Sequence, residues 1–328
     1  MSPVTCVDSH SPTESDKALT ALENTTLFAT QTFTKAVAPS LPGFHTFSCN
    51  VKGSGPDRTM YGLETREVLG SRQLHLAPFG LYASPGWNGA LERSTVDGIL
   101  QQLTGIRAYG FVWNVRFDHG PLARHLMAAG FESKPVATRV LQVQDTYEQT
   151  FACYSETMRN HVRRARRNGV VIRDAASDED VCAYYKMHKC LADQKGGYKT
   201  LYPLELFLHL TKHKSAVRLI LAECDGSLGA GGLFFRDGCS IIYWHGASDR
   251  SHSKMFPSCA VIDEAIRWAC KTGASFVNLG GSAGIASLDQ FKSLWGAQME
   301  QNWTFAWTSG LWRRFQRLER RLRGKHAG

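Results

Sequence analysis

Two Asp-Gly pairs, Asp225-Gly226 and Asp237-Gly238, constrain the second half of this 328-residue chain more than any other feature. Each pair stands between runs rich in β-branched and aromatic residues, at 217–223, 229–235 and 239–246. Asp-Gly adopts the left-handed backbone that two-residue hairpin turns require, so it is a strong hairpin signal between such runs. The segment 217–246 is therefore predicted to form three consecutive antiparallel strands.

Helical patterns surround this meander. Residues 177–194 and 204–212 carry apolar side chains at helical spacing before it. After it, a helix is predicted from Ser258, a capping residue, to Gly273. A short strand follows at 275–279. A meander followed by a helix and another strand predicts an α/β fold with a mixed sheet.

The first half of the chain follows a similar order less clearly, and no sequence repeat accompanies it. Strands are predicted at 45–51, 60–68, 74–76, 109–115 and 138–143, and helices at 91–103 and 121–129. The simplest organisation is two similar lobes. The predicted segments are a disordered leader at 1–25, lobes at 26–150 and 151–308, and a basic helix at 309–328.

The composition is that of an ordinary soluble protein. Hydrophobic residues make up 43% of the chain and charged residues 20%, and no apolar run reaches the roughly 18 residues that cross a bilayer. No secretory signal is visible at the N-terminus. The nine cysteines include no Cys-x-x-Cys pair, which favours reduced thiols over a disulfide framework. We therefore expect a cytoplasmic protein without a transmembrane segment.

Arginines dominate two basic clusters in this chain of net charge +9. They indicate a polyanionic partner, because a guanidinium group forms paired hydrogen bonds with phosphate. RNA, an acidic glycolipid and a membrane surface all fit, and the alternative is a pair of solvated helix faces. The residues predicted to bind tRNA or another polyanion are Arg159, Arg163, Arg164, Arg167, Arg313, Arg314 and Arg317.

The second cluster lies on an amphipathic segment, 311–324. Its apolar stripe is expected to pack on the second lobe, and the alternative is peripheral contact with an anionic membrane.

Several chemistries leave no signature in the sequence. No metal is predicted, because there is no His-Glu-x-x-His or clustered Cys/His pattern. There is also no Gly-x-Ser-x-Gly nucleophile elbow. His209 and His213 lack a third ligand and are interpreted as exposed helix residues. The glycines at 229–232 lie within a strand pattern, which favours close backbone packing over a dinucleotide loop.

The segment 278–297 carries the strongest indication of function. A loop of small residues leads to Phe291-Lys292, and Gly296-Ala297 follows shortly after. A lysine beside a phenylalanine, reached through a flexible glycine loop, suggests a cation delivered to a cleft. The alternative for Lys292 is an ordinary surface lysine.

Three segments resemble the FemABX-like transferases. They are the basic helix 158–169, the hairpin strands 219–246 with Tyr243-Trp244-His245-Gly246, and the final Phe291-Lys292 with Gly296-Ala297. The resemblance covers residues 150–300 and implies two tandem GNAT-like lobes. It also implies transfer of an amino acid from aminoacyl-tRNA to an amine, often in peptidoglycan precursors, while a related branch is assigned acyl-CoA chemistry. The coiled-coil insertion of some cell-wall members is not evident, which puts peptidoglycan as acceptor in doubt.

The resemblance also implies roles for single residues. Phe291 and Lys292 would line the donor and acceptor channel, and Lys292 would stabilise the developing oxyanion. Tyr243 and His245 stand two apart, so we predict that they share one strand face and orient or relay a proton. The alternative for Tyr243 is a core aromatic residue. The predicted catalytic residues are Lys292, Tyr243 and His245, and the predicted substrate-binding residues are Phe291, Arg250 and Trp244.

The donor is predicted from the loop at 248–257. GNAT enzymes that use acyl-CoA hold its pyrophosphate on an Arg/Gln-x-x-Gly-x-Gly/Ala loop before a helix. The corresponding loop here contains Arg250 but no glycine. This favours aminoacyl-tRNA as the donor, with no tightly bound cofactor and with an amine or hydroxyl acceptor from a cell-wall precursor or small-molecule biosynthesis. The alternatives are an acyl-CoA-dependent N-acyltransferase and a non-catalytic RNA- or membrane-binding protein.

Overall fold

The computed structural model describes residues 27–51, 58–66, 72–77, 81, 97–102, 108–115, 121–194 and 202–314. Contacts divide the chain into two compact units, one containing residues 137–300 and the other residues 22–136 with 301–328. The lobes predicted from the sequence divide the chain at residue 150 instead. The predicted leader at 1–25 and the predicted C-terminal helix beyond residue 314 lie outside the described residues.

The helices and strands are numbered in chain order. The helices are α1 (Gln31–Val37), α2 (Pro121–Ala128), α3 (Tyr147–Ala152), α4 (Glu156–Arg167), α5 (Asp178–Gln194), α6 (Leu204–Leu210), α7 (Pro257–Lys271) and α8 (Ala286–Ser293). The strands are β1 (Phe44–Val51), β2 (Arg58–Arg66), β3 (Arg72–Leu76), β4 (Ala108–Val115), β5 (Glu132–Gln142), β6 (Val171–Asp174), β7 (Val217–Cys224), β8 (Ser227–Asp237), β9 (Ser240–Ser248), β10 (Phe276–Asn278) and β11 (Gln298–Thr308). Residues 97–102 are also helical.

The unit formed by residues 22–136 and 301–328 contains strands in the order β1-β2-β3-β4-β11. β1, β2 and β3 pair antiparallel, β3 and β4 pair parallel, and β4 pairs antiparallel with β11. The core of this unit buries Phe28, Phe33, Leu63, Leu74 and Phe111.

The unit formed by residues 137–300 contains strands in the order β5-β10-β9-β8-β7-β6. β6 to β9 pair antiparallel, β9 and β10 pair parallel, and β10 pairs antiparallel with β5. In the first hairpin turn, Asp225 and Gly226 have φ values of 51° and 78°, the left-handed geometry that this turn requires. The fold is therefore α/β with a mixed sheet, and the predicted three-strand meander is confirmed.

Two adjacent glycines of β8 show that helices cover both faces of this sheet. A Cβ on Gly231 would lie 2.6 Å from the ring of Tyr184 in α5, and a Cβ on Gly232 would lie 3.0 Å from Val261 in α7. Because successive residues of a strand point to opposite faces, α5 and α7 cover opposite faces of the sheet. α4 packs with α7, and Met158 of α4 and Val261 of α7 belong to one buried apolar core. α6 packs with α5.

In the described part of the chain, no helix combines the length and apolar character that a membrane crossing needs. Its His, Cys, Asp and Glu side chains likewise form no group that could hold a metal ion.

Candidate active site

The candidate site lies where β9 and β10 part. The ladder between these strands ends at Ile242 and Asn278. The chain then bends at Gly280, whose φ of 74° lies in the left-handed region, and the Asn278 side chain accepts the Gly280 N–H at 2.8 Å. A Cβ on Gly280 would lie 3.4 Å from the Tyr243 carbonyl oxygen and 3.7 Å from Lys292 Nζ. The bend therefore brings the end of β10, the backbone of β9 and the lysine together.

Lys292 is buried at this bend, with only 5% of its surface exposed. Its Nζ donates a hydrogen bond to the Gly281 carbonyl oxygen at 2.7 Å. Burial lowers the pKa of Lys292 to about 8, and the Asp289 carboxylate opposes this effect. The alternative of a solvated surface lysine is therefore wrong. Near neutral pH this group is a cation whose proton is held more loosely than that of an exposed lysine.

A helix carries Lys292, so the prediction that a flexible loop reaches it is only partly correct. The glycines of the loop lie at 280–284, and α8 begins after Ile285, whose carbonyl oxygen accepts the N–H groups of Leu288 and Asp289. The apolar spacing of Leu288, Phe291 and Trp295 is a helical pattern that could have indicated α8 from the sequence.

The residues around Lys292 anchor α8 to the core. Phe291 is half-buried and packs edge-on against the fully buried Trp295, with 6.2 Å between ring centroids. Gly296 has a φ of 77°, and a Cβ there would overlap the Cys153 carbonyl oxygen. Gly296 therefore fills a position that only glycine fits. The substrate-binding role of Phe291 stays a prediction.

Tyr243 and His245 do not share a strand face, and this part of the prediction is wrong. The register between β8 and β9 shifts, so that Tyr243 pairs with Phe234 while His245 pairs with Leu233. The extra residue in β9 is Trp244, which makes this a β-bulge. Tyr243 stacks on Phe234 at 5.0 Å on the α7 face, which is also the packing that the core alternative described.

His245 and Trp244 point to the other face, toward α5 and α6. The Tyr184 hydroxyl and His245 Nδ1 share a hydrogen bond of 2.6 Å, and the His188 ring lies 4.1 Å from that of His245. Burial lowers the pKa of His245 to about 3, so the imidazole is neutral at physiological pH. Trp244 packs between Tyr202 and Phe207 at 5.1 and 5.8 Å.

These contacts give His245 and Trp244 packing partners in an aromatic layer between the sheet and its helices. Their predicted catalytic and substrate-binding roles stay predictions, and a joint proton relay of His245 with Tyr243 has no support in this geometry.

The loop at 248–257 is organised by its own side chains. Asp249 accepts the Ser251 N–H at 2.9 Å at the start of a 3₁₀ helix over Arg250–Met255. Phe256 then adopts a left-handed conformation with φ of 62° and precedes α7. Its ring stacks on His161 of α4 at 4.2 Å. Arg250 is exposed on this loop, and its substrate role stays a prediction.

Two arginines of α4 hold parts of the fold together. Arg159 donates hydrogen bonds to the carbonyl oxygens of Ala152 and Tyr154, so it closes the end of α3. Arg166 donates to the buried carboxylate of Asp263 at 2.8 Å. Arg159 was predicted to bind a polyanion, and these contacts give it a structural role as well.

Asp263 of α7 is the centre of a buried polar network. Its carboxylate accepts hydrogen bonds from Tyr147 at 2.6 Å, Tyr154 at 3.3 Å and Arg267 at 3.2 Å, in addition to that from Arg166. Burial and the carboxylate together raise the pKa of both tyrosines, so they stay protonated donors. The network links α3 and α4 to α7.

The remaining predicted arginines that the structure describes are exposed. Arg163, Arg164 and Arg167 lie on α4, and Arg164 covers the Phe256 ring at 4.9 Å. Arg313 and Arg314 are exposed in a helical segment that begins at residue 310, while Arg317 lies outside the described residues.

Sequence reasoning missed Arg139, Asp289 and Asn278 near the lysine. Arg139 of β5 forms a paired ion contact with Asp289 of α8, and 150 positions separate them in the sequence. No local pattern signals a contact of this kind, because Arg139 belongs to no motif and Asp289, although it lies within 278–297, carries no sign of its partner.

One stretch of the chain is similar to a known protein family. Residues 153–293 match the family described as "Acetyltransferase (GNAT) domain". This stretch contains β6 to β10, α7 and Lys292. The match confirms the GNAT-like fold that the sequence predicted for this part of the chain.

The chain is also similar to a curated protein and to solved structures. The UDP-N-acetylmuramoylpentapeptide-lysine N(6)-alanyltransferase of Weissella viridescens is 26% identical over 172 residues, 50% of each chain. The alignment thus spans about half the length of that relative. The crystal structure of FemX matches with a TM-score of 0.72 at 13% identity, over 87% of this chain and 92% of that one. A tandem GNAT protein from the clavulanic acid pathway matches with a TM-score of 0.50 at 12% identity, over 82% and 84%. The predicted resemblance to FemABX-like proteins is confirmed at the level of the fold.

Proposed function

We propose that this protein moves an amino acid from aminoacyl-tRNA to an amine or hydroxyl acceptor. The observation that carries the proposal is Lys292, a buried cation held at the bend where β9 and β10 part. The alanyltransferase relative, by its name, uses a lysine in a cell-wall precursor as acceptor. A cell-wall precursor is therefore the first acceptor to test, with small-molecule biosynthesis as the alternative setting.

The proposed step needs no covalent intermediate with the enzyme, because the donor ester is already activated. The acceptor nitrogen attacks the ester carbonyl, a C–N bond forms, and the C–O bond to the terminal ribose breaks. The proton leaves the acceptor nitrogen and ends on the ribose oxygen. The Lys292 ammonium stabilises the negative charge that develops on oxygen during this step. A pKa of about 8 suits this group, because the ammonium can pass its proton to the ribose oxygen and take up the proton that the acceptor nitrogen loses. One proton then moves in net terms from the nitrogen to the oxygen.

The loop at 248–257 supports tRNA over acyl-CoA as the donor. It lacks glycine, its Asp249 side chain already accepts a loop N–H, and the Phe256 ring before α7 stacks on His161. The GNAT domain match keeps acyl-CoA as the second candidate donor.

The exposed arginines of α4 are the proposed contact with tRNA phosphates. Arg163, Arg164 and Arg167 extend along one helix, and Arg164 lies over the ring of Phe256, the residue before α7. Phosphate binding at such a surface weakens with salt, because each neutralised phosphate releases counterions.

The decisive experiment offers the protein radiolabelled aminoacyl-tRNA and, separately, radiolabelled acetyl-CoA, with a cell-wall pentapeptide precursor and a panel of free amines. We expect transfer only from aminoacyl-tRNA. Transfer only from acetyl-CoA would replace the leading function by the second candidate, and transfer from neither would favour a binding protein. Lys292→Met is expected to lower kcat by about 10² to 10³. Lys271→Met, an exposed lysine also at the end of a helix, is the matched control.

A second experiment tests the arginine surface. Replacing Arg163, Arg164 and Arg167 together with alanine should flatten the slope of log K against log salt by about 2 to 3 for tRNA binding. The control removes three exposed lysines elsewhere, Lys186, Lys189 and Lys212. Equal effects of the two triple variants would show that net charge alone, and not the α4 surface, binds tRNA.

A further inference from the structure

Arg139 and Asp289 form a paired ion contact close to Lys292. Arg139 Nε lies 3.0 Å from Asp289 Oδ1, and Nη2 lies 2.6 Å from Oδ2. The Ser282 hydroxyl also donates to Oδ1 at 3.3 Å. The Arg139 side chain is 18% exposed and that of Asp289 is 36% exposed. Two parallel hydrogen bonds fix the direction as well as the distance between the groups.

The backbone of Arg139 holds the bend that contains the lysine's acceptor. Its N–H donates to the Gly280 carbonyl oxygen at 3.2 Å, and its carbonyl oxygen accepts the Leu279 N–H at 2.8 Å. The next carbonyl, that of Gly281, accepts the Lys292 ammonium. Arg139 therefore binds the bend through its backbone and α8 through its side chain.

These contacts close a ring through the site. Asp289 and Lys292 are three residues apart on α8, so their side chains lie on neighbouring positions of one helix face. Helix α8 connects Asp289 to Lys292, and Lys292 donates a hydrogen bond to Gly281 in the bend. The bend is hydrogen-bonded to the backbone of Arg139. The Arg139 side chain completes the ring by its ion pair with Asp289. A break at the ion pair leaves the hydrogen bond of Lys292 and the weaker one from Ser282 to Asp289 between this face of α8 and the bend.

We propose that Arg139 and Asp289 are positioning residues that hold Lys292 at the bend and set how firmly it keeps its proton. The inference rests on the proposed function only where it connects the ion pair with catalysis, since that function makes Lys292 the catalytic cation. Neither residue needs to touch a substrate.

The charges around Lys292 predict the direction in which its pKa shifts when either partner is replaced. Among the described elements around it, α8 brings Asp289, β5 brings Arg139, and β9 brings Tyr243, which burial keeps protonated by raising its pKa to about 12. β10 brings the uncharged Asn278. Arg139→Gln leaves the carboxylate unneutralised, so the pKa of Lys292 should rise. Asp289→Asn leaves the guanidinium unneutralised, so it should fall.

The test measures the proton affinity of Lys292 directly. Lysine amines are ¹³C-methylated by reductive methylation, the Lys292 signal is assigned by its loss in Lys292→Arg, and the signal is titrated by NMR in each variant. We expect shifts of the Lys292 pKa by about 1 in opposite directions for the two single variants. In the double variant the pKa should return toward that of the wild type. The control pair is Arg173→Gln and Asp180→Asn, which breaks a similar two-bond contact of 2.7 Å between β6 and α5.

Kinetics supply the second measurement. All three Arg139 and Asp289 variants should lose about tenfold in kcat with little change in KM, including the double variant, because the helix is no longer held against the bend. Shifts in the same direction, or no shift beyond that of the control pair, would overturn the inference. The two proposals fail separately, since opposite NMR shifts in a protein that transfers no amino acid would sink only the proposed function.

Discussion

Replacing Lys292 with methionine should stabilise the protein at neutral pH while it destroys the site. Methionine has a similar length and no charge, so it fills the buried position without the cost of holding an ammonium group away from water. The charged form of Lys292 has a higher free energy in the buried site than in the unfolded chain. The lowering of its pKa measures this difference.

The magnitude follows from the pKa. Burial lowers the pKa of Lys292 from 10.5 to about 8, and each factor of ten in proton affinity corresponds to about 1.4 kcal/mol. The charged lysine therefore costs the native state at most about 3 kcal/mol. Loss of the hydrogen bond to the Gly281 carbonyl oxygen offsets about 1 kcal/mol of the gain. A net stabilisation of about 2 kcal/mol is expected for Lys292→Met at pH 7.

The pH dependence has a definite sign. Below pH 8 the lysine is protonated in both the native and the unfolded state, so the native state carries the full cost. Between pH 8 and 10.5 the native state has lost the proton and the unfolded state has not, so the wild type gains stability as the pH rises. The advantage of Lys292→Met should therefore be largest at pH 7 and should shrink by pH 10.

The assay is urea unfolding of both proteins at pH 7 and pH 10, followed by fluorescence, with Lys271→Met as the control for loss of a charge. The reasoning is refuted if Lys292→Met is less stable than the wild type at pH 7, or if the difference between them is the same at both pH values. Either result would mean that the buried ammonium is not destabilising.

Three further substitutions test other parts of the structure. Gly296→Ala should lower the free energy of unfolding by about 3 kcal/mol or more, because an alanine there is strained at positive φ and overlaps the Cys153 carbonyl oxygen. The control, Gly310→Ala, has open space around it and should lower this free energy far less. Asp263→Asn should lower stability by about 1.5 to 3 kcal/mol, since two partly exposed arginines lose their bonds to a charged carboxylate. A loss below about 1 kcal/mol would contradict the network. Tyr184→Phe should lower the free energy of unfolding by about 1 to 2 kcal/mol in thermal unfolding, because it removes the hydrogen bond to His245. We expect kcat to be retained, since this bond lies on the sheet face opposite Tyr243. A large loss of kcat would restore His245 to the mechanism.

The elements around the meander could be predicted because each carries a local signal. The Asp-Gly turns indicated β7 to β9, and the apolar spacing indicated α5 and α7 close to their observed bounds. β11 was not predicted, although Trp303, Phe305 and Trp307 alternate with smaller residues in its second half, since residues 298–302 are mostly polar and show no strand pattern.

The site was predictable at Lys292 and less so around it. The lysine stood out because a glycine-rich loop precedes it and aromatic residues flank it. Its partners come from β5 and from the bend after β10, and contacts between residues so far apart in the chain leave no trace in local spacing. The face of His245 was predicted wrongly because strict alternation in a strand fails wherever a bulge adds a residue.

The bulge at Trp244 also bears on how residues of this chain are matched with those of its relatives. If the same residues formed a regular strand without the bulge, Tyr243 and His245 would stand two apart and would meet the same layer of helices. Two chains with identical letters along this strand but different bulge positions would thus present different side chains to the lysine and to the aromatic layer. For proteins of this fold, the bulge must be aligned first, and the motif letters can be compared only afterwards.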